Sequence, residues 1–372
     1  MKTILFIIGT RPEAIKLAPL ILEFKKKSEC YNVLVCNTEQ QKELSNQALS
    51  FFNIQTDISL DIMTENQNLC FLQAKILEKL QVIFQKNTID ATIVQGDTMS
   101  VFAGALSSFY NKVPVFHIEA GLRSYNTQEP FPEEAIRTMV SKIALLHFAP
   151  TQEAANALLA EKINKNNIYV CGNTGIDALY LLDKNTSEAS QIFFKQLNID
   201  LTSENIVLIT IHRRENHGAR LFNIISAIKK IAQNFTTHKF IIPVHPNPNV
   251  KNYIYQELQQ YANILLVESL NYPHMVYILK CAKLILTDSG GLQEEGPSFK
   301  CPILILREQT ERKEGVVAGF SKLVGTNSET IYNEAAKILI LNKEATRINK
   351  KNPYGDGKAS RKIEKIIRRF FK

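Results

Sequence analysis

With 372 residues, 45% of them apolar and 22% charged, the chain exceeds what one hydrophobic core usually supports, so two domains of roughly 150 to 200 residues are expected and disorder is excluded. Of the formal charge of +8 (44 Lys and Arg against 36 Asp and Glu), residues 358–372 carry +6 from seven basic residues and one glutamate, which leaves the remainder near neutral and argues against a nucleic-acid face. The six cysteines (Cys30, Cys36, Cys70, Cys171, Cys281, Cys301) form no CxxC pair and no zinc-ligand spacing, so they read as reduced core residues of a cytoplasmic protein, and no apolar run has the length of a bilayer span.

The N-terminal stretch MKTILFIIGTRPEAIK has no small-residue cleavage site after its apolar run and reads as a first strand. Further short apolar runs follow in order: NVLVC, ATIVQ, PVFHI, LLHFA, NIYVC, then NIVLITI, KFIIPV, NILLV, KLILT and PILIL. Strands alternating with amphipathic stretches predict βαβ units and parallel sheets. The series divides at a polar stretch, residues 173–191. The expected organisation is therefore α/β: an N-terminal Rossmann-like domain over 1–172 and a second over 173–357, both doubly wound, with ligands in a cleft at the carboxyl ends of the strands. In the tail, Ile363, Ile366, Ile367, Phe370 and Phe371 recur at helical spacing, which predicts a helix over 358–372 packing back on the first domain rather than stable membrane association. Neither GxGxxG nor a Walker A motif occurs, so dinucleotide and P-loop chemistry lose their usual support.

Polar residues just after strands are the candidates for chemistry. Gly9-Thr10-Arg11-Pro12 is a tight turn into a helix, with Arg11 and Lys16 as two cations suited to a phosphorylated ligand. Three acids, Asp97 in VQGDT, Glu119 in FHIEAGLRS and Glu133 in PFPEEAIR, follow or lie beyond first-domain strands. Each alone reads equally as a helix cap or a solvated group. Together they suit proton transfer, with burial near like charge raising at least one of them. His212, next to Arg213 and Arg214, follows the first strand of the second domain and is either structural or a phosphate contact. His245 in PVHPNP has weaker context. Ser289-Gly290-Gly291 between a strand and a helix reads as an anion site with close backbone approach, and Glu294 or Glu295 one turn later is placed for ribose hydroxyls. The alternative there is a Gly-rich turn with solvated glutamates.

Taken together, GTRPEAIKLAP, GDT, HIEAGLRS, PFPEE, HFAPT, GNTGIDAL, HRREN, PVHPNP, TDSGGLQEE and TER, in this order along nearly the whole chain, resemble the non-hydrolysing UDP-N-acetylglucosamine 2-epimerases. Hydrolysing relatives tend to lack the PEAIK continuation after GTR. The resemblance implies a GT-B fold, two Rossmann-like domains with an interdomain active-site cleft, and a homodimer. It also implies interconversion of UDP-GlcNAc and UDP-ManNAc for bacterial surface polysaccharides, with no cofactor and no metal needed. It assigns Ser289, Gly290, Gly291, Arg11 and Arg312 to the diphosphate, Glu295 to the ribose, His212 to the phosphates, Lys16 to a further binding position, and Asp97, Glu119 and Glu133 to catalysis alongside His212. Uracil contacts fall at LNYPHM, where Leu270 and Met275 replace more usual residues and would act through their backbone.

Gln40, Gln67, Arg213 and His245 match positions at which many bacterial members bind a second UDP-GlcNAc as activator, whereas Gln41 and Asn66 stand where His and Arg are common. Ile136 and Lys313 replace a frequent Asn and Pro. Two competing readings use the same cleft: a GT-B enzyme that transfers or hydrolyses the sugar, and a non-catalytic nucleotide-sugar sensor.

Overall fold

The run Ile4–Ile8 is completely buried, and an uninterrupted apolar run of that kind is stable as a strand only where helices cover both faces of a sheet. The structure, a computed structural model, describes residues 1–64, 67–202, 205–245 and 248–372. It has two units, Met1–Leu181 with Tyr354–Lys372, and Leu182–Pro353.

In the first unit, β1 (Lys2–Ile8), β2 (Tyr31–Asn37), β3 (Ile58–Ser59), β4 (Ala91–Gln95), β5 (Val115–Ile118), β6 (Leu146–Ala149) and β7 (Ile168–Val170) form one sheet. Its order is β3-β2-β1-β4-β5-β6-β7. All neighbours are parallel. The chain moves outward from β1 in one direction and, from β4, in the other, so the connections after β1 and β4 diverge and leave the carboxyl ends of those two strands uncovered.

The second unit repeats the plan with β8 (Ile206–Thr210), β9 (Lys239–Pro243), β10 (Ile264–Val267), β11 (Leu284–Thr287), β12 (Ile303–Ile305) and β13 (Ser321–Leu323). Here the order is β10-β9-β8-β11-β12-β13, all parallel. Alternate residues of these strands enter two different cores. Val207, Ile209, Phe240, Ile242, Leu284 and Leu286 pack on one face, and Ile206, Leu208, Ile241, Ile285, Ile303 and Ile305 on the other. The strand period of two thus distributes one apolar run between two helical layers. Each such Ile or Leu contributes about 1.5–3 kcal/mol by leaving water.

The two strands absent from the sequence reading, β3 and β13, are two and three residues long and include exposed positions. They are short edge strands without an apolar run. The helix Thr174–Leu179 lies beyond the last strand of the first unit and belongs to that unit. Its Asp177, buried, accepts the backbone N–H groups of Ala359 (3.1 Å) and Ser360 (2.7 Å) at the start of the terminal helix Ala359–Phe370. That helix buries Ile363 and Ile367, sets Phe370 edge-on to Phe116 at 5.3 Å, and pairs its buried Glu364 with Lys27 and the Tyr31 hydroxyl. No described helix is long and apolar enough to cross a membrane.

Replacing Asp177 by Ala removes the carboxylate that accepts the N–H groups of Ala359 and Ser360 in the first turn of the terminal helix. The expected loss is about 1–2 kcal/mol, read from urea unfolding of the variant beside the wild type.

Candidate active site

The turn after β1 is held closed from within. Glu13, in the first turn of the helix Arg11–Lys25, accepts from the Gly9 N–H (2.6 Å) and the Thr10 N–H (3.1 Å) through one carboxyl oxygen. Glycine is required at position 9 because an added Cβ would lie 2.0 Å from Ser100 Oγ and 2.6 Å from Thr38 Oγ1. Burial raises the Glu13 carboxyl to about 7, although bonds from Thr98, Gly9 and Thr10 pull it down. The backbone N–H of Arg11 donates to Gln41 Oε1 at 3.2 Å. Gln40 accepts from the Ser100 hydroxyl (2.8 Å) and N–H (3.3 Å), so both glutamines brace loops at the ends of β1 and β4.

The acids emerge beside this turn. Asp97 follows β4, and one of its oxygens accepts two N–H groups of Arg137, with Nε at 3.1 Å. Arg137 also donates to Glu134 (3.2 Å), which accepts the N–H groups of Ser124 (2.9 Å) and Tyr125 (3.0 Å). Glu119 follows β5 with a left-handed φ of 62°, a conformation that costs a non-glycine residue of order 1–3 kcal/mol and persists only where surroundings enforce it. Lys16 and Gln95 bind its two oxygens, and Asn173 donates at 3.4 Å. Lys16, expected from the sequence beside a phosphate, thus has its ammonium against Glu119. Glu133 opens the helix Glu133–Ile143, and its Oε2 is buried without a hydrogen-bond partner among the described residues. Ile136 is a core residue. A cationic partner at Asp97 and at Glu119, rather than like charge alone, defines their surroundings.

In the second unit the parallel register places Thr210 opposite Thr287, with their hydroxyls 2.6 Å apart. The residues that follow are therefore neighbours: His212 and Arg213 after β8, and Asp288, Ser289, Gly290 and Gly291 after β11. Asp288, fully buried, accepts the N–H groups of His212 (3.0 Å) and Arg213 (2.9 Å) and the Asn216 amide (2.9 Å). The rings of His212 and His245 are nearly parallel, with centroids 6.2 Å apart. Burial and the charge of His212 lower His245 from its ordinary value.

Ser289 precedes the short helix Gly290–Glu295. An added Cβ at Gly290 would lie 2.9 Å from Arg312 Cζ, so the absence of a side chain there admits the guanidinium. Arg312 donates to Glu294 at 3.0 Å and to Glu311. Glu311, despite burial, is held well below the usual carboxylate range by Arg312 and Arg307. The two adjacent glutamates of this helix thus divide: Glu294 fixes Arg312, and Glu295 is half-buried on the next face. Leu270 is a core side chain with Met275 packed against the same cluster, so any ligand contact at Leu270 uses its backbone. Gln67 is elsewhere, bonded to the Thr64 N–H (3.2 Å) and lining a cavity of about 540 Å³ with Phe71 and Lys75. Asn66 lies outside the described residues.

Sequence reasoning missed Gln95, Asn173, Glu134, Arg137, Asp288 and Glu311, and of the two glutamates it offered for the ribose, Glu294 holds Arg312 instead. Glu134 and Arg137 carried a usable signal, an acid and a base three residues apart on one helix face.

The family described as UDP-N-acetylglucosamine 2-epimerase matches residues 23–368. Over 367 residues the chain is 41% identical to the UDP-N-acetylglucosamine 2-epimerase of Neisseria meningitidis serogroup A, covering 98% of each. It matches the crystal structure of Neisseria meningitidis UDP-GlcNAc 2-epimerase bound to UDP-GlcNAc with a TM-score of 0.93 and 41% identity, over 99% of this chain and 100% of that one. Against S. aureus MnaA in its UDP co-structure the TM-score is 0.91 at 40% identity, over 100% and 97% of the two chains. The two doubly wound units are those of the GT-B class.

Two outcomes follow from the buried groups. Because the folded value of Glu13, about 7, lies above its ordinary 4.5, the folded state holds that proton more tightly than the unfolded chain. Its contribution is full below about pH 4.5 and is lost as pH rises through about 7. Wild-type stability relative to Glu13→Gln should therefore fall between about pH 5 and about pH 8, measured as the difference in urea midpoints. Gly290→Ala should cost about 1–3 kcal/mol by overpacking as Arg312 is displaced, read from the urea midpoint.

Proposed function

The chain belongs to the UDP-N-acetylglucosamine 2-epimerase family, and on that premise we propose that it interconverts UDP-GlcNAc and UDP-ManNAc without net hydrolysis. The observation that carries the reading is the presence of two chemistries at equivalent strand ends: acids after β4 and β5 in one unit, and a glycine-lined turn after β11 with Arg312 against it in the other.

The proton on carbon 2 of the hexose is too weakly acidic to leave alone. Its removal by a carboxylate, with cleavage of the carbon 1 to oxygen bond, gives 2-acetamidoglucal and UDP. Return of a proton to the other face of carbon 2, with UDP re-adding at carbon 1, inverts that centre. Arg11, Arg312, His212 and the backbone of Ser289, Gly290 and Gly291 stabilise the departing diphosphate. Glu295 holds the ribose, and Leu270 and Met275 contact uracil through backbone atoms. Asp97, Glu119 and Glu133 exchange protons with the sugar. Support for Glu133 comes from its buried oxygen without a partner. Support for Glu119 comes from its left-handed backbone and its clamp of Lys16, Gln95 and Asn173. Gln40, Arg213 and His245 are proposed as positions for a second nucleotide sugar acting as effector, a set that Gln67, bonded to the Thr64 N–H, does not join and from which Gln41 and Asn66 depart. The route asks for no nicotinamide and no metal.

The unit Met1–Leu181 with Tyr354–Lys372 is proposed to supply the acids and Arg11, and the unit Leu182–Pro353, rather than the expected 173–357, the remaining UDP contacts. We further place the enzyme in the cytoplasm as a homodimer supplying surface-polysaccharide synthesis. In line with self-association, the helices Leu69–Lys86 and Met99–Tyr110 leave Phe71, Val82, Phe109 and Tyr110 exposed. Burial raises the thiols of Cys36, Cys171 and Cys301 to about 12, which suits inert core cysteines, whereas Cys70 is exposed and Cys30 and Cys281 are partly buried, so the expectation of six core cysteines does not hold.

Incubation with UDP-GlcNAc in deuterated water tests the reading. Epimerisation gives two UDP-sugars labelled at carbon 2, whereas accumulating UDP would indicate hydrolysis and unlabelled substrate a sensor. Asp97→Asn and Glu133→Gln should each lower deuterium incorporation by roughly 100-fold or more while UDP affinity in calorimetry stays close to wild type. Equal loss of UDP binding would count against both as proton-handling groups.

A further inference from the structure

We propose that Asp288 is a positioning residue for His212, holding one ring proton on Nδ1 so that Nε2 takes up the second proton and, as part of a charged imidazolium, donates to the departing diphosphate. The inference rests on the epimerase reading for its consequence, but its geometry lies wholly within the second unit. The two carboxyl oxygens of Asp288 divide their work. Oδ2 takes the backbone N–H groups of His212 (3.0 Å) and Arg213 (2.9 Å) and the Asn216 amide (2.9 Å). Oδ1 lies 3.1 Å from His212 Nδ1 and 3.2 Å from the His212 N–H.

An ionised carboxylate only accepts hydrogen bonds, so a ring nitrogen at that distance faces it favourably only when it carries hydrogen. Burial alone would push the Asp288 carboxyl up. The His212 ring and the backbone donors more than offset this and hold it below its ordinary value, so the acceptor is ionised. The side chain of Asp288 is fully buried and that of His212 is 36% exposed, so the fixed partner is the acid and the ring has an accessible edge. Nothing in the three Oδ2 bonds requires the imidazole. They staple the turn after β8 to the end of β11, whereas the Oδ1 contact selects a tautomer, as outer partners of a functional histidine do.

Asp288→Asn separates the two roles. An asparagine keeps an oxygen in the place of Oδ2 for the three donors and turns its amide nitrogen to His212, which forces Nδ1 to accept and moves the ring proton to Nε2. Long-range ¹⁵N–¹H spectra of histidine-labelled protein in mildly alkaline buffer resolve the tautomers of the seven histidines, with His212 assigned by its loss in His212→Asn. Wild type should show the Nδ1–H form and Asp288→Asn the Nε2–H form, with thermal midpoints close together. Turnover should fall roughly 10- to 100-fold, with KM for UDP-GlcNAc little changed. In the His212→Asn background the same substitution should cost less than about 3-fold, because the shared pathway is already lost.

An Nε2–H ring in the wild type overturns the proposal whether or not the variant folds. Equal losses with and without His212 also overturn it, leaving Asp288 a staple. A wild type that shows the Nδ1–H ring but does not epimerise UDP-GlcNAc would overturn the functional reading and leave the tautomer assignment standing.

Discussion

Parallel strands whose connections diverge to opposite faces of a sheet leave a region at their carboxyl ends that no helix covers, and in both units of this protein candidate groups follow those strands. In the first unit the divergence lies between β1 and β4, and Gly9, Thr10, Arg11, Asp97 and Thr98 all follow those strands. In the second it lies between β8 and β11, followed by His212, Arg213 and the Asp288–Gly291 turn. The constraint rests on the strands being apolar throughout, since only full burial on both faces holds two helical layers against one sheet. Chemistry at the strand ends is thus a consequence of packing in the strand interiors.

A second regularity is that the charged candidates arrive with partners. Asp97 has Arg137, Glu119 has Lys16, Arg312 has Glu294 and Glu311, and His212 has Asp288. Ion pairs at such depth are poor sources of net stability, because desolvation offsets much of their attraction. Their consequence is orientation. A guanidinium clamped by two carboxylates need not search for its geometry when a phosphate arrives, and a carboxylate held at one oxygen keeps the other in a defined direction. The left-handed Glu119 fits the same account, with backbone strain tolerated where three side chains over-determine one carboxyl group.

The long apolar runs were legible because their burial is set by local composition: all eleven correspond to strands of the two parallel sheets. β3 and β13 were not, since two or three residues at a sheet edge take their conformation from a neighbour rather than from their own side chains. Residues immediately after strands were found by position alone. Their partners come from distant segments, so that nothing near Asp97 announces Arg137, and nothing near His212 announces Asp288, 76 positions further on. The strand register that brings Thr210 opposite Thr287 is a tertiary fact, and Asp288 acquires its role only through it.

The same division of labour appears twice in adjacent glutamates. In the helix Glu133–Ile143 it is the second of the pair, Glu134, that binds Arg137 and two backbone N–H groups of the preceding loop. In the helix Gly290–Glu295 it is the first, Glu294, that binds Arg312. Successive helical residues point about 100° apart, so one carboxylate of each pair turns inward to an arginine while the other faces a different direction. That geometry separates the two glutamates at the SGG turn: Glu294 orients Arg312, and on the proposed function Glu295 is the one left to meet the ribose. On the proposed function, losing the inward member would act on a ligand through its arginine and losing the outward member would act directly.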